Sequence, residues 1–189
     1  MHKGINIYYL LYLSFKSEEH IRKVLINDCN IPAEYIQRGM HLTLYHCRRP
    51  MPLLEMNTTY LSIESNISET RFMVLAPGGE NPRPELIPAQ RSIGIRLTRR
   101  NNAIEEIINL RRRAYRYEPE FKRGYGKGKR VNGRTTDWRN AFGAFHYQPH
   151  IKLIRPGTAI DRDLRIIGDA FRKKIKKISF SKAEYKVYK

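Results

Sequence analysis

The run at residues 5–15, INIYYLLYLSF, most narrowly limits how this chain can fold. It is rich in β-branched and aromatic residues and carries no charge, yet it is too short to cross a bilayer. The pattern predicts a central strand buried on both faces. Ser17 follows as a helix N-cap, with Glu18 and Glu19 placed favourably in the first turn. Ile21, Val24 and Leu25 form a one-sided apolar stripe, which predicts a helix over 17–29. Pro32 and Gly39 lead into a strand over 40–47, completing a β-α-β unit.

The same order of elements returns later. Residues 92–98 (SIGIRLT) alternate as a strand does. Asn101 or Asn102 caps a helix carrying Ala103, Ile107, Leu110, Ala114 and Tyr117, and Pro119 stops it. A strand over 150–154 follows, then a helix begun by Asp161 with Leu164, Ile167, Phe171 and Ile175 on one face. Alternation from 177 to the end predicts a last strand, and 60–64 and 71–75 read as further strands. APGGENPRPELIP, with four prolines and two glycines, reads as a linker over 77–90. The chain is therefore expected to be α+β, a single bilobal and pseudo-symmetric domain. A first lobe over 1–76 and a second over 91–189 would share a central cleft.

Each half contains a histidine at the head of an alternating strand: His41-Leu42-Thr43-Leu44 and His150-Ile151-Lys152-Leu153. Alternation sends the apolar members into the core and leaves His41 beside Thr43 and His150 beside Lys152. Two imidazoles at equivalent places suit a cleft in which one accepts a proton and the other donates one. His46 falls on the opposite face of its strand by the same alternation. His146 and His150 have a zinc-like spacing, but Pro149 argues against the helix that spacing needs, so no metal is expected.

HLTL and PHIKL, 109 positions apart, resemble the paired H-apolar-[Ser/Thr]-apolar motifs of the 2H phosphoesterase superfamily. That superfamily includes 2′-5′ RNA ligase-like proteins and cyclic phosphodiesterases. The element order matches over most of the chain, and His41, Thr43 and His150 fit the motif. Lys152 departs from it, since a hydroxyl residue is expected there. The resemblance implies two antiparallel or mixed sheets around the central cleft with helices outside, and a metal-independent phosphodiesterase without cofactor, with His41 and His150 as acid and base and Thr43 on the phosphate. The Lys152 ammonium can contact the phosphate in place of a hydroxyl, or else mark a site that binds without cutting. The enzyme's substrates would be RNA ends, 2′,3′-cyclic phosphates, or cyclic or 2′-5′-linked oligonucleotides. Some phage members destroy cyclic nucleotides of host defence. The alternative is an RNA- or nucleotide-binding protein that uses the same cleft without turnover.

Charge points the same way. Thirty-six Lys and Arg against eighteen Asp and Glu give a net charge of +18. Such a surface favours a polyanionic partner, foremost RNA. Residues 111–139 alone hold eleven basic residues against three acidic ones, interleaved with glycine and aromatics, and 119–145 is placed as a lid. Within it Arg134 and Trp138 are candidate substrate contacts, and of Tyr8 and Tyr9 on the first strand Tyr9 is the preferred candidate for stacking a base. No membrane association, no obligate protein partner and a cytoplasmic location (host cytoplasm if viral) are expected. Two cysteines without a CxxC pair fit a reducing compartment.

Overall fold

A long apolar strand can be buried only if neighbours on both edges complete its backbone hydrogen bonds. The strand β1 (Asn6–Leu13) has both neighbours. The computed structural model describes residues 6–47, 58–75, 92–115, 130–131, 134–135, 148–156 and 164–188. β1 pairs with β2 (His41–Cys47) on one edge and with β9 (Lys177–Tyr188) on the other. β9 continues to β3 (Thr59–Asn66). From β2 the sheet runs through β8 (His150–Ile154) and β5 (Ser92–Leu97) to β4 (Thr70–Leu75). Every neighbouring pair is antiparallel.

The α+β class is therefore present, but two sheets are not. Among the described residues seven strands form one sheet, in the order β3-β9-β1-β2-β8-β5-β4. The edges of β2 and β8 that a two-sheet arrangement would leave facing a cleft are joined to each other, which pairs backbone groups that would otherwise be open. A separate ladder joins β6 (Arg130–Val131) and β7 (Arg134–Thr135). Apart from these two short strands, the expected lid at 119–145 lies outside the described residues, and so does the expected linker at 77–90.

Among the described residues three α-helices cover one face of the sheet. α1 (Phe15–Asn27), α2 (Ile104–Tyr115) and α3 (Leu164–Lys174) contribute Ile21, Val24, Leu25, Ile107, Leu110, Ile167 and Phe171 to a single core. Leu11, Leu42, Ile95 and Ile151 meet them from the strands. Phe171 packs edge-on against Phe72, ring centroids 5.0 Å apart. The cap of α1 is Ser14, not Ser17, and its Oγ accepts the Ser17 N–H at 3.2 Å. The Ser17 hydroxyl is engaged elsewhere, accepting the Ser179 N–H of β9 at 2.8 Å. At α2 the buried Asn101 does cap, its Oδ1 accepting the Ala103 N–H at 3.0 Å. No helix among the described residues is long and apolar enough to cross a membrane.

Two matching irregularities shape the middle of the sheet. Register shifts between Tyr9 and Leu10, so that Leu44 is the extra residue of β2. It shifts again between Ile93 and Gly94, where Leu153 is the extra residue of β8. Each bulge lies three residues after a strand-leading histidine. Gly94 is required at the second, because a Cβ there would run into the Ile151 carbonyl oxygen and Leu75 Cδ1. Gly94→Ala should destabilise the fold by ~1–3 kcal/mol, the usual cost of overpacking, read from denaturant unfolding. Wild-type stability in that variant would mean that the strands separate there at little cost.

Candidate active site

One bridge sets the geometry of the open face. Leu42 pairs with Ile151 across β2 and β8, and both side chains are fully buried on the helix side. Alternation then turns His41, Thr43, His150 and Lys152 outward together. The antiparallel register sets His41 opposite Lys152 and Thr43 opposite His150. The two histidines are thus diagonal neighbours on adjacent strands, a pair whose backbones lie about 7–8 Å apart. His41 and Thr43 are half-buried, while His150 and Lys152 are exposed.

Each imidazole is held the same way. His41 Nδ1 lies 2.8 Å from the Gly39 carbonyl oxygen, and His150 Nδ1 lies 2.9 Å from that of Gln148. A carbonyl only accepts, so Nδ1 must donate, and in the neutral ring Nε2 is left as the proton acceptor. The turn before His41 is itself anchored. The Glu18 carboxylate accepts the Gly39 N–H at 2.8 Å and the Met40 N–H at 3.0 Å. Gly39 has φ of 61°, a left-handed conformation that glycine adopts without strain. Beneath the strand, the buried Arg111 of α2 donates through Nη1 to the carbonyl of Leu44, the extra residue of the bulge.

Burial pulls the pKa of His41 below its ordinary value of 6.5. The positive charges of Lys186 and Lys152, with His150, push in the same direction, and the bond to Gly39 opposes them. Lys186 comes from β9, where it and Lys182 sit over the Tyr12 ring at 5.1 and 4.9 Å. A hydrogen bond with the Tyr12 side chain raises the pKa of Lys186.

Beside His41 and Thr43 lies a cavity of about 230 Å³, completed by Tyr8, Leu10 and Tyr188. Tyr8 stacks on His46, centroids 4.0 Å apart, and meets Tyr188 edge-on at 5.4 Å. The bulge at Leu44 brings His46 here. It restores His46 to the face of His41, where unbroken alternation would have put it behind. Tyr9 is the converse case. It is 5% exposed, stacks on Tyr185 at 4.1 Å and belongs to the core, so it cannot reach a ligand on the open face; its neighbour Tyr8 does. Arg134 is described only as a backbone position in β7, and Trp138 lies outside the described residues. Among the described residues no three His, Cys, Asp or Glu side chains converge as metal ligands would.

Of the two strand tyrosines it is Tyr8, not the preferred Tyr9, that lines the cavity, and the sequence reading places neither His46 nor Arg111 at the site. The one signal was the pair of adjacent apolar residues, Leu44-Tyr45 and Leu153-Ile154, that breaks alternation at the same distance from each histidine. Compared with protein-family models and with curated proteins, the chain matches none.

The titration of His41 tests this electrostatic picture. Lys152→Met and Lys186→Met should each move its pKa up toward 6.5, as followed by NMR of the ring protons, and added salt should act in the same direction. An unchanged or lower value in both variants would show that charge plays no part. The sign for stability follows. His41 is held below its unfolded value, so its contribution is present above about pH 6.5 and is lost as pH falls through the folded value.

Proposed function

We propose that this protein is a metal-independent phosphodiesterase of the 2H type acting on RNA ends, 2′,3′-cyclic phosphates or small cyclic or 2′-5′-linked oligonucleotides. The observation that carries the reading is the duplicated histidine: each leads its strand, is tethered through Nδ1 to the carbonyl two residues back, and faces the same space. The register around them is duplicated too, which supports a pseudo-symmetric origin for the two halves of the sheet.

In this reaction His41, neutral near pH 7, takes a proton at Nε2 from water or a ribose hydroxyl as that oxygen attacks phosphorus. The bond from phosphorus to the leaving oxygen breaks, and His150, as the general acid, gives that oxygen a proton. Entering and leaving oxygens lie on opposite sides of phosphorus, which suits bases placed diagonally on two strands. The Thr43 hydroxyl and the Lys152 ammonium stabilise the charge that grows on the non-bridging oxygens. Lys152 supplies full charge where a hydroxyl residue would give a neutral hydrogen bond. The scheme as written uses no metal and no cofactor.

A second reading rests on that same lysine: a site that binds nucleotides without turning them over. The two part on one set of measurements, made with EDTA present and products identified by mass. Under the phosphodiesterase reading, His41→Ala and His150→Ala each lower turnover ~10²–10⁴-fold. The double variant loses far less than the product of the two effects, because the residues act as a unit. Thr43→Val costs less than either, and Lys152→Thr lowers activity as a phosphate contact is lost. No turnover of any of these substrates by the intact protein would leave the binding role alone.

A further inference from the structure

The row of side chains that includes His150 does not stop at the histidine. Arg96 of β5 is its register partner, and Arg71 of β4 is the register partner of Arg96. Partners across antiparallel strands share a face, so Arg71, Arg96 and His150 form one ladder on the open side of the sheet. Adjacent strands are ~4.8 Å apart, which places Arg96 one spacing and Arg71 two spacings from the histidine. Like charges directly opposite one another destabilise a sheet. Among the described residues neither arginine makes an ion pair, and the one carboxylate in the same row, Glu184, is four strands from Arg96 and bound to Lys182 at 2.9 Å. A pair of facing guanidiniums on an open face, continuous with a phosphate site, has the charge pattern of an anion-binding track.

The opposite side of the histidines is built differently. There the cavity lined by Tyr8, Leu10 and Tyr188 is about 230 Å³, smaller than the ~300–1,000 Å³ that encloses a drug-sized ligand. It accepts one sugar or base, against a stacked Tyr8–His46 pair. Lys182 lies on that side too but is paired with Glu184, so the arginine ladder across β8, β5 and β4 is the row of cations without a carboxylate partner among the described residues.

From this we infer that the ligand is a linear single-stranded oligonucleotide, whose reacting phosphate sits between His41 and His150 and whose next phosphates are held by Arg96 and then Arg71. The inference rests on the phosphodiesterase reading for the identity of the reacting phosphate. It adds a direction, with the aromatic cavity at one end of the chain and the arginine ladder along it. A mononucleotide fills only the centre and the cavity, and a cyclic dinucleotide cannot extend along the ladder.

The test compares the intact protein with Arg71→Met, Arg96→Met and the double variant. The ligands are uridine 2′,3′-cyclic phosphate, cyclic diuridylate and linear oligouridylates of two to five nucleotides, with binding measured by calorimetry over a range of salt. For the intact protein, affinity should climb with each added nucleotide up to about four. The double variant should lose that climb, and its log–log salt slope for the tetramer should fall by about 0.7 per arginine, the value for single strands. Its loss for the tetramer should exceed its loss for the mononucleotide at least tenfold. Arg71→Lys should keep most of the affinity, because the charge remains. Thermal unfolding of the double variant should be no lower than wild type, as a repulsive pair has been removed, and a large drop would show the arginines to be structural and overturn the inference. Wild-type affinity and slope in the double variant would also overturn it, as would tighter binding of the cyclic dinucleotide than of the linear tetramer. An intact protein that binds the series as expected but never cleaves it would keep the arginine track and remove the phosphodiesterase reading.

Discussion

The sheet is joined at its centre by the pairing of β2 with β8, and the candidate site exists only because of that register. A single bridge, Leu42 to Ile151, fixes which residues face the helices and which face outward. A slip of one residue would turn His150 and Lys152 into the core and expel Ile151 and Leu153. Both apolar residues are fully buried, so the hydrophobic effect opposes any such slip. Just beyond the bridge β8 continues along residues 35–37, where the Gln37 N–H donates to the Leu153 carbonyl and the Arg155 N–H to that of Tyr35. The short seam is thereby fastened from its flank.

Around the seam, the backbone is shaped to aim side chains. The two bulges occur at the same step after each histidine and bend the strands just past the site. On the β2 side the bulge is supported from below by a buried guanidinium, since Arg111 donates to the carbonyl of Leu44. That bond ties α2 to the geometry of the strand above. Glu18 does the corresponding work before His41, from the first turn of α1. Both helices thus pack the core with one set of residues and position the site with another.

Chemistry divides between the two faces accordingly. The helix side holds the apolar core. The open side collects His41, Thr43, His150, Lys152, Arg96, Arg71, Lys182 and Lys186, and its chief carboxylate, Glu184, is neutralised by Lys182. Burial lowers the pKa of the His41 imidazole, and the positive charge gathered close to it acts in the same direction.

Sequence alone determined where most elements lie, because periodicity and caps are local properties. The alternation of HLTL and HIKL, the stripes of α1, α2 and α3 and the cap at Asn101 were all legible, and so were the two histidines and their polar neighbours. The cap of α1 was placed three residues late, since nothing in the sequence shows that the Ser17 hydroxyl is committed to a strand 162 positions away. Tertiary structure decided the rest. Whether two halves form separate sheets or join depends on edge pairing between strands over a hundred residues apart, which no local pattern encodes. The bulges, which depend on register with a partner strand, reversed the sides of His46 relative to expectation. Tyr8 and Tyr9 were indistinguishable as a string, and only the face on which the helices packed made one a cavity wall and the other core.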